Sequence, residues 1–400
     1  MGQGSNTIQF PGARNVPRVD EDATAKIRKH RLVRVYTIVL VLVLLAAVLI
    51  GFFIYERSKI FDSMEIVSGI NRDNIEGTKV REFAGSVMTY SKDGAGAMDA
   101  TGKLLWNQTF DMQNPMASVN GDMAAFADYG GSRIYLQKAS GETGVVNTDM
   151  PIRKIAVSAN GYVAAVLEDL DVTWIYLYDS NGTKVAYFRT TMEKSGYPID
   201  IDISPDAELV CVSYYYIDCN DLKSSVAFYN FGSVGQNSID NYVSGFNYPD
   251  EMIPYVEFLD TETAIAVSDS RISVFAGAHK PVSVSEMFIN DELISVFAGS
   301  DAFAAIYSNE AHGTKYRLEV YDKEGKKTSE KEFDFDYSNV TFGNGCVILY
   351  GDTSVYVGTY AGKLKFEGDY SRPILLLVPQ TASYRYTIVT EDTIDSVELK

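Results

Sequence analysis

The sequence predicts an all-β, eight-bladed β-propeller behind one N-terminal transmembrane helix, with a seven-bladed ring as the alternative. Three observations carry that reading. One uncharged run of 21 residues lies near the N-terminus, strand-like runs fill the chain from about residue 78 onward, and those runs recur about every 43 residues.

The uncharged run is Val35–Tyr55, VYTIVLVLVLLAAVLIGFFIY. At a rise of about 1.5 Å per residue it spans a hydrocarbon core about 30 Å thick. Tyr36 and Tyr55 sit where interfacial aromatics belong. Lys26, Arg28, Lys29, Arg31 and Arg34 precede the run with no acid among them, whereas Arg57 and Lys59 beyond it are mixed with Glu56, Asp62 and Glu65. The positive side predicts a cytoplasmic N-terminus and an extracellular remainder, held in the cell membrane by a single pass. A cleaved signal peptide would have a shorter apolar region followed by a small-x-small site, and Glu56-Arg57 offers none. The expected zones are a disordered basic cytoplasmic tail (1–34), a transmembrane helix (35–55), a stalk (56–77) and an extracellular propeller (78–400).

Charge divides at the same place. The chain has 35 Lys and Arg against 53 Asp and Glu, a net −18. Residues 1–34 hold seven basic and three acidic side chains, so +4, which leaves −22 for residues 56–400. So acidic a domain repels polyanions, and nucleic acid is not an expected partner, because phosphate binding needs lysine and arginine.

The strands announce themselves through two recurring phrases. A polar turn followed by an Ala/Val-rich strand appears as VNGDMAAFAD from Val119, VSANGYVAAVLED from Val157, ISPDAELVCVSY from Ile203, FLDTETAIAVSD from Phe258, FAGSDAFAAIYS from Phe297 and FGNGCVILYGD from Phe342. A strand running into a Gly-centred turn appears as AMDATGKLLW, LYDSNGTKVAYF and VYDKEGKK, with weaker versions at Gly141, Gly232, Gly277 and Gly362. From Gly102 to Gly362 the seven turn glycines step by 39, 41, 50, 45, 48 and 37 residues, the length of a four-stranded blade. Each unit reads strand A, tight turn, strand B, loop, strand C, Gly turn, strand D. Unit three, for example, reads Ile152–Ser158, Val163–Glu168, Trp174–Asp179 and Lys184–Thr190. Seven units fill residues 78–373. An eighth begins at Ile374 and ends one strand short, and Ser63–Ile70 in the stalk is the strand available to complete it.

Asp99–Trp106, DATGKLLW, resembles the D-x-x-T-G-x-x-x-W phrase of pyrroloquinoline-quinone-type propeller repeats, one residue shorter between Asp99 and Thr101. The whole chain resembles uncharacterised, mainly Gram-positive bacterial proteins with one membrane anchor and an outer quinone-type or WD40-like propeller. The resemblance implies eight blades. Its quinone-dependent relatives use calcium-binding carboxylates, stacking tryptophans and often adjacent cysteines. Here the only tryptophans are Trp106 and Trp174, and Cys211, Cys219 and Cys346 include no adjacent pair, so no cofactor is expected.

Other chemistry is equally absent from the pattern. His30, His279 and His312 have no second ligand at metal spacing, and no nucleophile elbow or phosphate loop is present. No catalytic residue is assigned. The expected function is a non-catalytic, membrane-anchored scaffold for a protein partner at the cell envelope. The alternatives are a sensor for a small molecule or wall fragment and, behind it, a propeller enzyme.

In such a blade the A–B and C–D turns lie at one end, and the B–C loops and D–A connections at the other. The second end takes the excess length: Thr191–Pro198, Tyr216–Lys223, Ser244–Met252 and Asn309–Lys315. Long loops on a rigid frame carry specificity. The expected partner-binding side chains are Tyr197, Tyr216, Asp218, Phe246, Tyr248, Glu310, His312 and Lys315, forming one patch from units three, four and six.

Overall fold

Short runs rich in β-branched and aromatic residues, cut by Gly and Asp turns, each have two faces to bury. In the computed structural model they do so as eight four-stranded antiparallel sheets. The structure describes residues 21–73, 75–170, 172–190, 195–219 and 221–400, so most of the expected N-terminal tail lies outside the described residues. The chain divides into two units, Met1–Lys59 and Ile60–Lys400.

The first unit is one helix, α1 (Glu21–Ser58). Within it Arg28–Val48 is long and apolar enough to cross a membrane, with a mean hydropathy of 2.3 and none of it buried. The basic flank ahead of Val35 continues the same helix.

The second unit is an eight-bladed propeller. Blades one to seven occupy residues 79–109, 115–147, 152–190, 197–248, 255–288, 293–333 and 337–369, each with its four strands paired in chain order. The A strands stand side by side around the centre. Blade eight is composite. Its strands A to C are Leu376–Pro379, Arg385–Val389 and Thr393–Leu399, and its strand D is Met64–Asn71. The register runs from Met64 opposite Leu399 to Asn71 opposite Thr393, with one slip between Ile66 and Ser68. The ladder continues past both ends: Asp62 N–H donates to Lys400 O (2.8 Å), and Arg72 N–H donates to Asp392 O (2.7 Å). Phe61 is sunk beside Phe366, Leu377 and Leu399, and its N–H donates to Lys365 O in blade seven (2.8 Å).

The two sequence phrases have physical causes. The Ala/Val phrase is strand B, sandwiched between sheets. Ala124, Ala125 and Ala127 in blade two, and Ala164 and Ala165 in blade three, are fully buried, and larger side chains there would push neighbouring blades apart. The Gly phrase is a turn that an aspartate organises. Asp99 Oδ1 accepts from the N–H groups of Thr101 (2.8 Å) and Lys103 (3.0 Å), Asp179 does the same in blade three, and Asp322 Oδ1 accepts from Lys326 N–H (2.8 Å) in blade six. Three residues later Gly102, Gly182 and Gly325 take a left-handed φ near +80°. Trp106 packs edge-on against Phe83 (5.8 Å) in the core between blades one and two.

The A strands present unpaired N–H groups to the centre, and side chains from the neighbouring blade meet several of them. Val157 N–H donates to Ser118 Oγ (3.0 Å), Val256 N–H to Asp200 Oδ2 (3.0 Å) and Phe258 N–H to Asp202 Oδ2 (2.7 Å). Lys154 forms an ion pair with Asp200. Glu257 lies between the two bonded residues. Desolvation raises Asp202 to about 7 and Glu257 to about 8, and the proximity of the other carboxylates adds to both.

Two outcomes follow. Phe61→Ala should lower unfolding stability by about 3 kcal/mol in urea titrations, from the cavity it leaves. Asp202 and Glu257 hold protons more tightly folded than unfolded, where a carboxyl titrates near pH 4. Their effect is therefore absent below about pH 4 and becomes an increasing cost as pH rises to about 8. The thermal midpoint should fall between pH 5 and pH 8.5, and Glu257→Gln should flatten that fall.

Candidate functional site

The loop end and the turn end of the propeller carry different chemistry. At the loop end, Arg153 at the start of blade three pairs with Glu168 and lies 5.0 Å from the centre of the Tyr129 ring. Tyr197, at the start of blade four, is half-buried within the field of this pair, and burial raises its hydroxyl above the ordinary value. The structure thus joins Tyr197 to Tyr129, Arg153 and Glu168 across blades two to four. Leu170 (89 % exposed) follows strand B of blade three, and Ile217 (56 %) lies near the tip of strand B of blade four.

The other expected residues scatter. Tyr216 and Asp218 are not in a loop. Strand B of blade four runs on to Asp218, and strand C begins at Asp221, so the two strands form one extended hairpin in which Asp218 pairs with Asp221. Lys223 holds Asp218 by an ion pair (2.6 Å), which keeps that carboxyl below its usual range. Phe246 and Tyr248 belong to strand D, Tyr242–Tyr248. Phe246 packs on Phe275 (4.7 Å), while Tyr248 is 4 % exposed and burial pushes its hydroxyl up to about 12. Glu310 and His312 form a short exposed 3-10 turn, and Lys315 pairs with Asp336 (3.0 Å). Blade five stands between that turn and blade four, so the blade-six group does not join the Tyr197 cluster. Of Thr191–Pro198, residues 191–194 lie outside the described residues.

The excess length of blade four is at the turn end. Its C–D connection is residues 231–241, two 3-10 turns in place of a tight Gly turn. Gly232 is accordingly the one turn glycine of the repeat without a left-handed φ. Asp240 and Asn241 carry that strain instead, at φ 55° and 58°. Asn230, fully buried, organises the loop. Its Oδ1 accepts from Gly235 N–H (3.0 Å), its Nδ2 donates to His279 O (3.2 Å), and its carbonyl accepts from Asn241 Nδ2 (3.0 Å). Beside the loop, between blades three and four, is a cavity of about 700 Å³ that includes Tyr162, Asp206, Glu208, Phe231, Gln236 and Asn241 in its walls.

Among the described residues no group of three or more His, Cys, Asp or Glu has metal-binding geometry. Cys211 and Cys219 form no disulfide with each other; Cys211 and Cys346 are buried, and Cys219 is exposed at the tip of the blade-four hairpin.

A family model matches residues 57–399, nearly the whole of both the stalk and the propeller. The chain belongs to DUF5711, a family of unknown function. No curated protein is significantly similar to it. Its fold is that of several solved propellers. BamB from Moraxella catarrhalis is 12 % identical, with a TM-score of 0.50, covering 84 % of this chain and all of its own. Sqt1 from Chaetomium thermophilum is 13 % identical, TM-score 0.54, covering 84 % of this chain and 98 % of its own. Apo AztD from Citrobacter koseri is 11 % identical, TM-score 0.52, covering 78 % and 94 %. At these identities the likeness is one of fold.

The burial of Tyr248 and the packing of half-buried Phe246 against the same core have a measurable consequence for this DUF5711 propeller. Each substitution by alanine should cost about 2–4 kcal/mol in chemical unfolding. Glu310→Ala and His312→Ala should stay within about 0.5 kcal/mol of the parent.

Proposed function

We propose that this DUF5711 protein is a single-pass, membrane-anchored propeller that acts without catalysis as a protein-interaction scaffold on the outer face of the cell membrane. The observation that carries the reading is the apolar rim at the loop end of blades two to five. Tyr129, Leu170, Ile217, Leu222, Met252 and Phe288 are each between 45 % and 89 % exposed there. A single exposed leucine means little, but several on consecutive blades at one end favour a protein contact. The Tyr129, Arg153 and Tyr197 group beside them supplies the aromatic and guanidinium anchors that such contacts favour. The polypeptide enters the propeller at Phe61, at the turn end, which leaves the loop rim on the opposite side of the domain. The basic flank Lys26–Arg34 supports a cytoplasmic N-terminus.

Photo-crosslinkers placed at Leu170 and Ile217 in growing cells should trap a discrete protein adduct, and one at Leu104 on an outer strand should not. Leu170→Asp combined with Ile217→Asp should abolish the adduct with the thermal midpoint unchanged. Adduct of equal yield from all three positions would remove the rim from consideration. External protease on protoplasts should digest the propeller, and a fully protected propeller would reverse the orientation.

A further inference from the structure

The cavity between blades three and four is a built site rather than a chance gap. One wall is the only C–D connection of more than six residues among blades one to seven. That wall is held by all three hydrogen bonds of the Asn230 side chain and carbonyl, and by two consecutive left-handed residues, a conformation that costs free energy outside glycine. Glu208 leans across the loop's first turn, where a Cβ at position 232 would displace its carboxylate.

The lining chemistry selects a ligand. Asp206 and Glu208 bring two carboxylates, and no lysine or arginine lines the cavity. Asp206 Oδ1 is occupied by its own turn, accepting from Ser204 Oγ (2.6 Å) and Glu208 N–H (3.2 Å). Glu208 Oε1 faces His279 Nδ1 (3.4 Å). Asp206 Oδ2 and Glu208 Oε2 accept nothing from the described residues. Tyr162, Leu177, Val185 and Phe231 supply aromatic and aliphatic surface, and Gln236 holds an exposed side-chain amide that has no partner among the described residues. Two carboxylates in the same lining as aromatic and aliphatic side chains match a cation on an apolar stem, which gains charge attraction and apolar contact together.

We propose that this cavity binds an organic ammonium group carried on an aliphatic chain. That chemistry exists in free polyamines and in lysine side chains of peptides. The site is independent of the loop rim, which lies at the other end of the propeller, and the two readings stand or fall separately.

The test uses the full chain in detergent and isothermal titration calorimetry at low salt. The probes are cadaverine, an acetyl-Gly-Lys-Gly-amide peptide, and the same peptide with its lysine Nε-acetylated. Binding of either ammonium probe, with at least tenfold weaker binding of the acetylated peptide, is expected. Cadaverine alone binding assigns the site to free amines, and the lysine peptide alone binding assigns it to peptides. Glu208→Gln should weaken binding about tenfold and Phe231→Ala several-fold. Gln236→Ala, on an exposed side chain with no hydrogen-bond partner among the described residues, gives a second reading that folding defects do not confound, with an expected loss of two- to fivefold. Equal binding of the acetylated peptide, no binding by either ammonium probe, or unchanged affinity in both Glu208→Gln and Gln236→Ala at a preserved thermal midpoint would overturn the proposal.

Discussion

Every blade depends on having a neighbour on each face, and the contact that gives all eight their neighbours is the pairing of Met64–Asn71 with Thr393–Leu399. Without it blade eight has three strands and an open edge, and blades seven and eight lose Phe61 from the core they share. Among the described residues no cluster of metal-binding side chains stands at the closure. It rests on a ladder of backbone hydrogen bonds extended by Asp62 and Arg72 at its two ends, and on one buried aromatic ring.

With the ring closed, each sheet still has an outer edge at strand D and an inner edge at strand A, and the chain handles the inner edges, which face the centre, unevenly. Blades four and five meet at two aspartates that accept backbone N–H groups, with Glu257 beside them. Elsewhere a serine or an arginine does the equivalent work, as Ser118 does for Val157 and Arg81 does for Ala117 O. The acidic version satisfies donors well but takes carboxylates out of water and crowds them, which is why protons are retained there to pH values where ordinary acids have lost them.

Much of this architecture is legible in the amino-acid sequence. Gly102, Gly182 and Gly325 mark hairpins because only an αL-tolerant residue fits after an aspartate-organised turn, and the Ala/Val runs mark strands squeezed between sheets. The strand that completes blade eight can be found by counting. Blade four is the hardest to read, because the polar residues Asp218, Cys219 and Asp221 look like a loop although the Tyr and Ile residues ahead of them continue the ladder. Gly232 looks like its counterparts yet keeps ordinary backbone geometry. The loop's real pivot is Asn230, whose role depends on His279 in the next blade, a contact that no local pattern reveals. Tyr129 and Arg153 escape a sequence reading for a similar reason. Each is unremarkable in its own blade and acquires meaning only beside Glu168 and Tyr197.

The composite blade also sets a timetable for synthesis. Glu65 and its partner Lys400 are 335 positions apart, so the first strand of the domain leaves the ribosome long before anything exists for it to pair with. Blades one to seven have all their strands within one continuous stretch and are free to assemble in order as they emerge. The strand Met64–Asn71, with Ile66 and Val67 on it, follows the apolar helix closely in the chain and must wait unpaired throughout. A chain that stalls or is cut anywhere before Thr393 keeps that edge exposed, which makes the N-terminal strand a built-in marker by which proteases and chaperones can tell an unfinished molecule from a finished one.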